Sequence, residues 1–116
     1  MKDEARKYLF DISEAISHID LHLGGERNFK LFTQSLTVQR AVERELEIIG
    51  EAVNRLLKLP EPVSVTNARQ IVNLRNRVIH AYDTVDIMTI WGVIAKNIPS
   101  LAEEVQMLLN TPNPEG

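Results

Sequence analysis

The chain has no cysteine among its 116 residues. That excludes a disulfide framework and any thiolate chemistry, and it is compatible with a reducing compartment. No apolar run approaches the length of a membrane span. The first ten residues, MKDEARKYLF, carry acids and lack a long apolar core, so no signal peptide is expected. A soluble cytoplasmic chain without membrane contact is the expectation. Repeats, low-complexity blocks and the period-two alternation of strands are also missing. Positive charge is in short supply overall: the formal net charge is −3, which argues against broad, nonspecific coating of nucleic acid. What remains is an ordinary globular composition, 44% hydrophobic and 25% charged. The length suits one domain, taken as residues 1–110, with 111–116 expected to fray.

Helical periodicity runs through nearly the whole chain. Tyr8, Ile12, Ala15, Ile16, Ile19 and Leu23 share one face of a helix over 3–23. Gly24 and Gly25 end it, because glycine accepts the left-handed cap conformation. Residues 26–34 form a connector with room for a short helical turn. A second helix from about Leu36 to Lys58 carries the inner stripe Val38, Ala41, Val42, Leu46, Ile49, Ala52, Val53 and Leu56, and Pro60 and Pro62 stop it. A third begins near Thr66 as N-cap and reaches about His80. A fourth starts after Asp86 with Ile87, Ile90, Trp91 and Ile94, Trp91 being read as a core residue. Pro99 must break or kink that segment, since it lacks an N–H and crowds the preceding turn. A last helical piece spans about 99–109. The fold class is therefore all-α, an antiparallel four-helix-type bundle with a kinked or broken last helix.

Acidic residues are also absent locally. Between Pro62 and Tyr82 there are three arginines, Arg69, Arg75 and Arg77, and no acid, so this stretch is +3 and the other 95 residues sum to −6. Such a patch can hold a phosphate while the rest of the surface stays acidic. On an ideal helix Ile71, Leu74 and Val78 face the core, and Asn76 and His80 lie opposite, near Arg69. Val72 and Ile79 form a second small apolar strip with no obvious use in a monomer. Arg75 and His80 are five apart, roughly 140° around one helix, so they do not easily converge from a single straight helix. Either the helix ends near His80 and turns it, or two copies pack across Val72 and Ile79, so that one chain's arginine meets the other's histidine. The dimer is the preferred solution.

Arginine and histidine together suit cleavage of RNA. Histidine exchanges protons near neutral pH, and arginine grips phosphate oxygens in a planar fork. An RNA phosphodiester carries its own nucleophile, the 2′-hydroxyl, so the site need supply only a proton acceptor, a proton donor and charge stabilisation, without a metal. The plainer reading is that His80 satisfies the last carbonyls of a helix and the arginines are simply solvated.

The stretch RNRVIHAY fits R-N-x-x-x-H-x-Y and resembles the signature of the HEPN superfamily, in its HepT-like branch. The segments RAVERELEIIGEAVNRL and VDIMTIWGVIAKNIPSL resemble the same branch, and the likeness covers about residues 5–109. The resemblance implies a ribonuclease toxin of a toxin–antitoxin pair, metal-independent and without cofactor, whose active site lies at a homodimer seam. It implies that Arg75 and His80 are the catalytic pair. Asn76, with Arg77 beside it, is expected to position the substrate phosphate. Tyr82 matches a tyrosine that, in some members, a minimal nucleotidyltransferase antitoxin of the MntA type modifies with AMP. A bulky anion there would block RNA by sterics and repulsion. The alternative is a helical dimer that binds a nucleotide or that partner without cleaving.

Two further groups stand out. Glu45 alone among the acids of the second helix falls within the apolar stripe. A buried carboxylate needs a cationic or hydrogen-bonding partner, and an arginine of the third helix, Arg75 or Arg77, is the expected one. A solvent gap at this point of the bundle is the other possibility. Glu14, His18 and His22 stack four apart on the first helix. That spacing can bind a metal, but no fourth ligand is evident, so a solvated helix side is the preferred reading.

Overall fold

The computed structural model describes residues 3–25, 28–69, 71–73 and 87–111. Helix α1, Asp3–His22, buries Ala5, Leu9, Ile12, Ala15, Ile16 and Ile19 along the predicted face. Its end is where the two glycines place it. Gly24 and Gly25 have φ of 78° and 81°, and the Gly25 N–H donates to the Asp20 carbonyl at 2.8 Å. The connector contains α2, Phe29–Gln34, whose N-cap Asn28 accepts from the Leu31 N–H at 3.1 Å. Phe32 from this short helix is fully buried.

Helix α3, Leu36–Leu57, begins at Ser35, whose hydroxyl accepts from the Val38 N–H at 3.2 Å. Its buried set contains the predicted stripe from Val42 to Leu56, with Glu45 among it. After α3 the chain folds back through its prolines, and the Val63 N–H donates to the Leu56 carbonyl. A 3-10 turn, Thr66–Ala68, follows, and residues 69 and 71–73 are helical.

From Ile87 to Asn110 the chain stays helical throughout. Helix α4 is Ile87–Gly92, and α5 is Ile98–Asn110. Between them Val93–Asn97 forms a π turn, in which the Ile98 N–H donates to the carbonyl of Val93, five residues back. This is the interruption that Pro99 predicts, and it takes the form of a widened turn. A proline clashes with the carbonyl four residues earlier, and a wider turn relieves that clash without ending the helix.

The N-terminal half of α1 lies beside the C-terminal half of α3, where Tyr8 meets Arg55, and the C-terminal end of α1 reaches the middle of α3. The pair is therefore antiparallel. Arg6 donates to the Leu109 carbonyl at 2.9 Å, tying the start of α1 to the last turn of α5. The helices α1, α3 and α5 form the body of the bundle, with α2 against α3 and the 3-10 turn against α5. Leu9, Ile12, Leu46, Ile49, Ile90, Ile94, Ile98 and Leu101 meet in one core. Each fully buried aliphatic side chain there stabilises the fold by about 1.5–3 kcal/mol. Trp91 is half-buried rather than central. Its ring packs edge-on to Phe29, centroids 5.2 Å apart, and tilted against Phe32 at 5.7 Å, closing the α2–α4 side. Among the described residues there is no strand.

Candidate active site

The catalytic constellation read from the sequence, Arg75, Asn76, Arg77, His80 and Tyr82, lies outside the described residues, as does Ile79 of the second apolar strip. What the structure describes is the frame on either side of it. Upstream, Ala68 and Ile71 are fully buried, and Arg69 is exposed. Downstream, Ile87 is half-buried and Ile90 is buried. Val72, assigned to a strip without use in one chain, packs against the core of its own chain.

The polar grip on this frame comes from Glu104, a residue that neither spacing nor residue type singles out. Its Oε2 accepts from the Thr66 N–H at 2.9 Å and the Thr66 hydroxyl at 2.8 Å. Its Oε1 accepts from the Asn67 N–H at 2.9 Å and the Asn67 side-chain amide at 3.0 Å. Thr66 is therefore not the N-cap that its residue type suggests. Val65 holds that position and makes no side-chain cap. The orphan N–H groups of the helix start are met by a carboxylate reaching across from α5, where negative charge also complements the helix dipole. Partial burial pushes the Glu104 carboxyl up, but the four hydrogen bonds from Asn67 and Thr66 outweigh it and hold the group below its ordinary value.

The second polar feature is centred on Glu45. Helical spacing puts it between Val42 and Ile49 on the inner stripe, and the structure buries it to 6% exposure, so the solvent-gap reading is set aside. Its partners among the described residues are not arginines. Oε2 lies 3.4 Å from Nδ1 of His18 and 3.5 Å from Nε2 of His22. The i, i+4 spacing on α1 turns both imidazoles to α3. Glu14 and His18 are exposed and His22 is half-buried, on a solvated side of α1 as read from the spacing, and the two histidines in addition meet a buried acid, which that reading did not include. Arg75 and Arg77, the partners expected for Glu45, are outside the described residues. Beside the cluster is a small pocket of about 150 Å³ lined by Asp11, Glu14, Ala15, His18, Glu45 and Ile48. Among the described residues no group of three or more histidines and acids is arranged to hold a metal ion. The signal that could have found the pairing was present: one acid on an apolar stripe, and two histidines a helical turn apart on the neighbouring helix.

Comparison with known proteins adds what the frame alone does not carry. The family model described as "Ribonuclease HepT-like" matches residues 12–108. The chain is 36% identical over 111 residues to "Probable ribonuclease HepT" of Thermococcus cleftensis, covering 93% of this chain and 98% of that one. It is 39% identical over 83 residues to "Putative RNase TTE0752" of Caldanaerobacter subterraneus subsp. tengcongensis, covering 71% and 74%. No solved structure matches the chain at a comparable level.

Proposed function

The chain belongs to the HepT-like ribonuclease family, and from that membership we propose that it is a metal-independent endoribonuclease toxin working as a homodimer. The observation that carries this reading is the intact R-N-x-x-x-H-x-Y pattern, Arg75 to Tyr82, inside the matched span 12–108. The proposed substrate is RNA, because the 2′-hydroxyl supplies the nucleophile that this residue set lacks.

In the proposed reaction the 2′-oxygen attacks the adjacent phosphorus as His80 takes its proton. The bond from phosphorus to the 5′-oxygen breaks, and the leaving oxygen receives a proton from the second imidazole at the seam. The products are a 2′,3′-cyclic phosphate and a free 5′-hydroxyl. Arg75 neutralises charge on the crowded phosphorus, and Asn76 and Arg77 hold the phosphate in line. Glu45 serves as the supporting buried carboxylate. Tyr82 is the proposed site of AMP transfer by a minimal nucleotidyltransferase partner of the MntA type. Among the described residues no helix is long and apolar enough to cross a membrane, and a cytoplasmic place of action completes the proposal.

The test is cleavage of labelled RNA in excess EDTA by the wild type and by His80→Ala. Cyclic-phosphate ends, lost by about 10²–10⁴-fold in the variant, are the expected outcome. RNA binding without cleavage would replace the enzyme with a helical binding module, and cleavage abolished by EDTA would end the metal-independent mechanism.

A further inference from the structure

We propose that Glu104 is a positioning residue for the active site: its carboxylate fixes where the helical segment that precedes the motif begins and how that segment is turned about its axis. The inference rests on the proposed roles of Arg75 and His80.

The geometry carries more than an ordinary helix cap. A cap supplied by a preceding serine or threonine meets one or two N–H groups from within the same segment. Glu104 meets two successive residues, using one oxygen for Thr66 and the other for Asn67, from a separate helix 37 and 38 residues further along the chain. Backbone and side chain of both residues are held, at 2.8–3.0 Å. Two adjacent residues gripped by one planar group fix rotation as well as position. On the inner side the same start is fixed by Val65, Ala68 and Ile71, all buried. Glu104 itself has little freedom to drift, because Leu101 and Val105, three residues before it and one after, are buried in the core. The far end of α5 is tied by Arg6 to α1.

Rotation at the start of a helix is carried along it. Arg75 follows Thr66 by nine residues, about two and a half turns if the predicted helix runs on. A rotation of about 20° at the start would carry the tip of a long side chain through roughly 2 Å, and misplacement by about 1 Å can cost some 10²-fold in rate. The group therefore acts on the reaction through the helix it holds, without touching RNA. Glu103 is the other titratable group lining the shallow surface around this clamp. It makes none of the four contacts.

The experiment compares wild type, Glu104→Gln, Glu104→Ala and Arg6→Ala for RNA cleavage, folding by circular dichroism, and the His80 ring resonances by NMR. Glutamine keeps one acceptor oxygen but turns a donor towards the remaining N–H groups. The expected result is kcat lowered about tenfold or more in both Glu104 variants, KM for RNA changed less than threefold, and His80 ring signals shifted. Arg6→Ala, which removes a different polar tie of α5, lowers the unfolding midpoint and leaves kcat within twofold. Wild-type kcat and unshifted ring signals in a folded Glu104→Gln chain would overturn the clamp. If Glu104→Ala does not fold, Glu104→Gln carries the same comparison. A wild type that does not cleave RNA sinks the reading of Arg75 and His80, and the ring signals then decide the clamp alone.

Discussion

Two buried or half-buried glutamates do different work, and the difference lies in what surrounds each oxygen. Glu104 accepts four hydrogen bonds from uncharged donors, so its charged form is favoured. Because its folded value lies below the ordinary carboxylate value, its contribution to stability is fully present above the unfolded value and is lost as pH falls through the folded one. Urea midpoints between pH 6 and pH 3 should therefore drop less steeply for Glu104→Gln than for the wild type. Equal slopes would mean that the carboxylate gains nothing from its grip. Glu45 is more enclosed and is flanked by two imidazoles. Removing one partner of a buried pair is costly when the other stays buried, but His18 and His22 are more than a third exposed, so water can solvate them once Glu45 is gone. Glu45→Leu is therefore expected to change the unfolding free energy by no more than about 1 kcal/mol, while RNA cleavage falls. Stability and activity lost together would assign Glu45 to the fold alone. Glu45 was legible as an anomaly of the stripe, but its partners were not, because periodicity reports which face a residue occupies and not which neighbour meets it. Glu104 left no trace of that kind, since an acid on a half-exposed helix face is indistinguishable by residue type from a solvated one.

At the scale of elements, local chemistry settled the boundaries. Ser35 opens α3, Asn28 opens α2, and Glu51 pairs with Arg55 four residues on, as the spacing predicts. Gly25 ends α1 with φ 81° and open space where a Cβ would stand. Gly25→Ala should therefore cost about 1–2 kcal/mol through backbone strain alone, measured by urea unfolding. A neutral result would show that the turn rearranges. The response of the chain to Pro99 was half legible. That the ring must disturb the helix follows from its geometry. Whether the helix breaks or widens depends on the packing of Val93, Ile94 and Ile98, which are buried on one side of the turn and reward continuity. Thr66 shows the opposite limit. Its residue type suits an N-cap, yet a carboxylate distant in sequence takes that role, and no local pattern contains such a contact.

At the scale of the whole molecule, the sequence separates charge: residues 62–82 sum to +3 and the other residues to −6, and the basic stretch carries the family pattern. The all-α class and the helices α1, α3, α4 and α5 were readable because the chain is periodic almost throughout, and their buried residues followed from the same stripes. The stretch of the third predicted helix from 74 to 80, with Leu74 and Val78, lies outside the described residues. The catalytic arrangement was readable only as a residue set, since nothing in one chain's spacing brings Arg75 and His80 together. The proposed homodimer would divide the chemistry between two chains, and Val72 weighs against a seam at that strip, because it packs against its own core.

The most direct measurement is the rate of RNA cleavage per chain across the concentrations over which sedimentation shows the dimer giving way to monomer. A shared cleft predicts that the rate follows the dimer fraction and vanishes with it. A monomer that cleaves as fast per chain as the dimer would contradict the account.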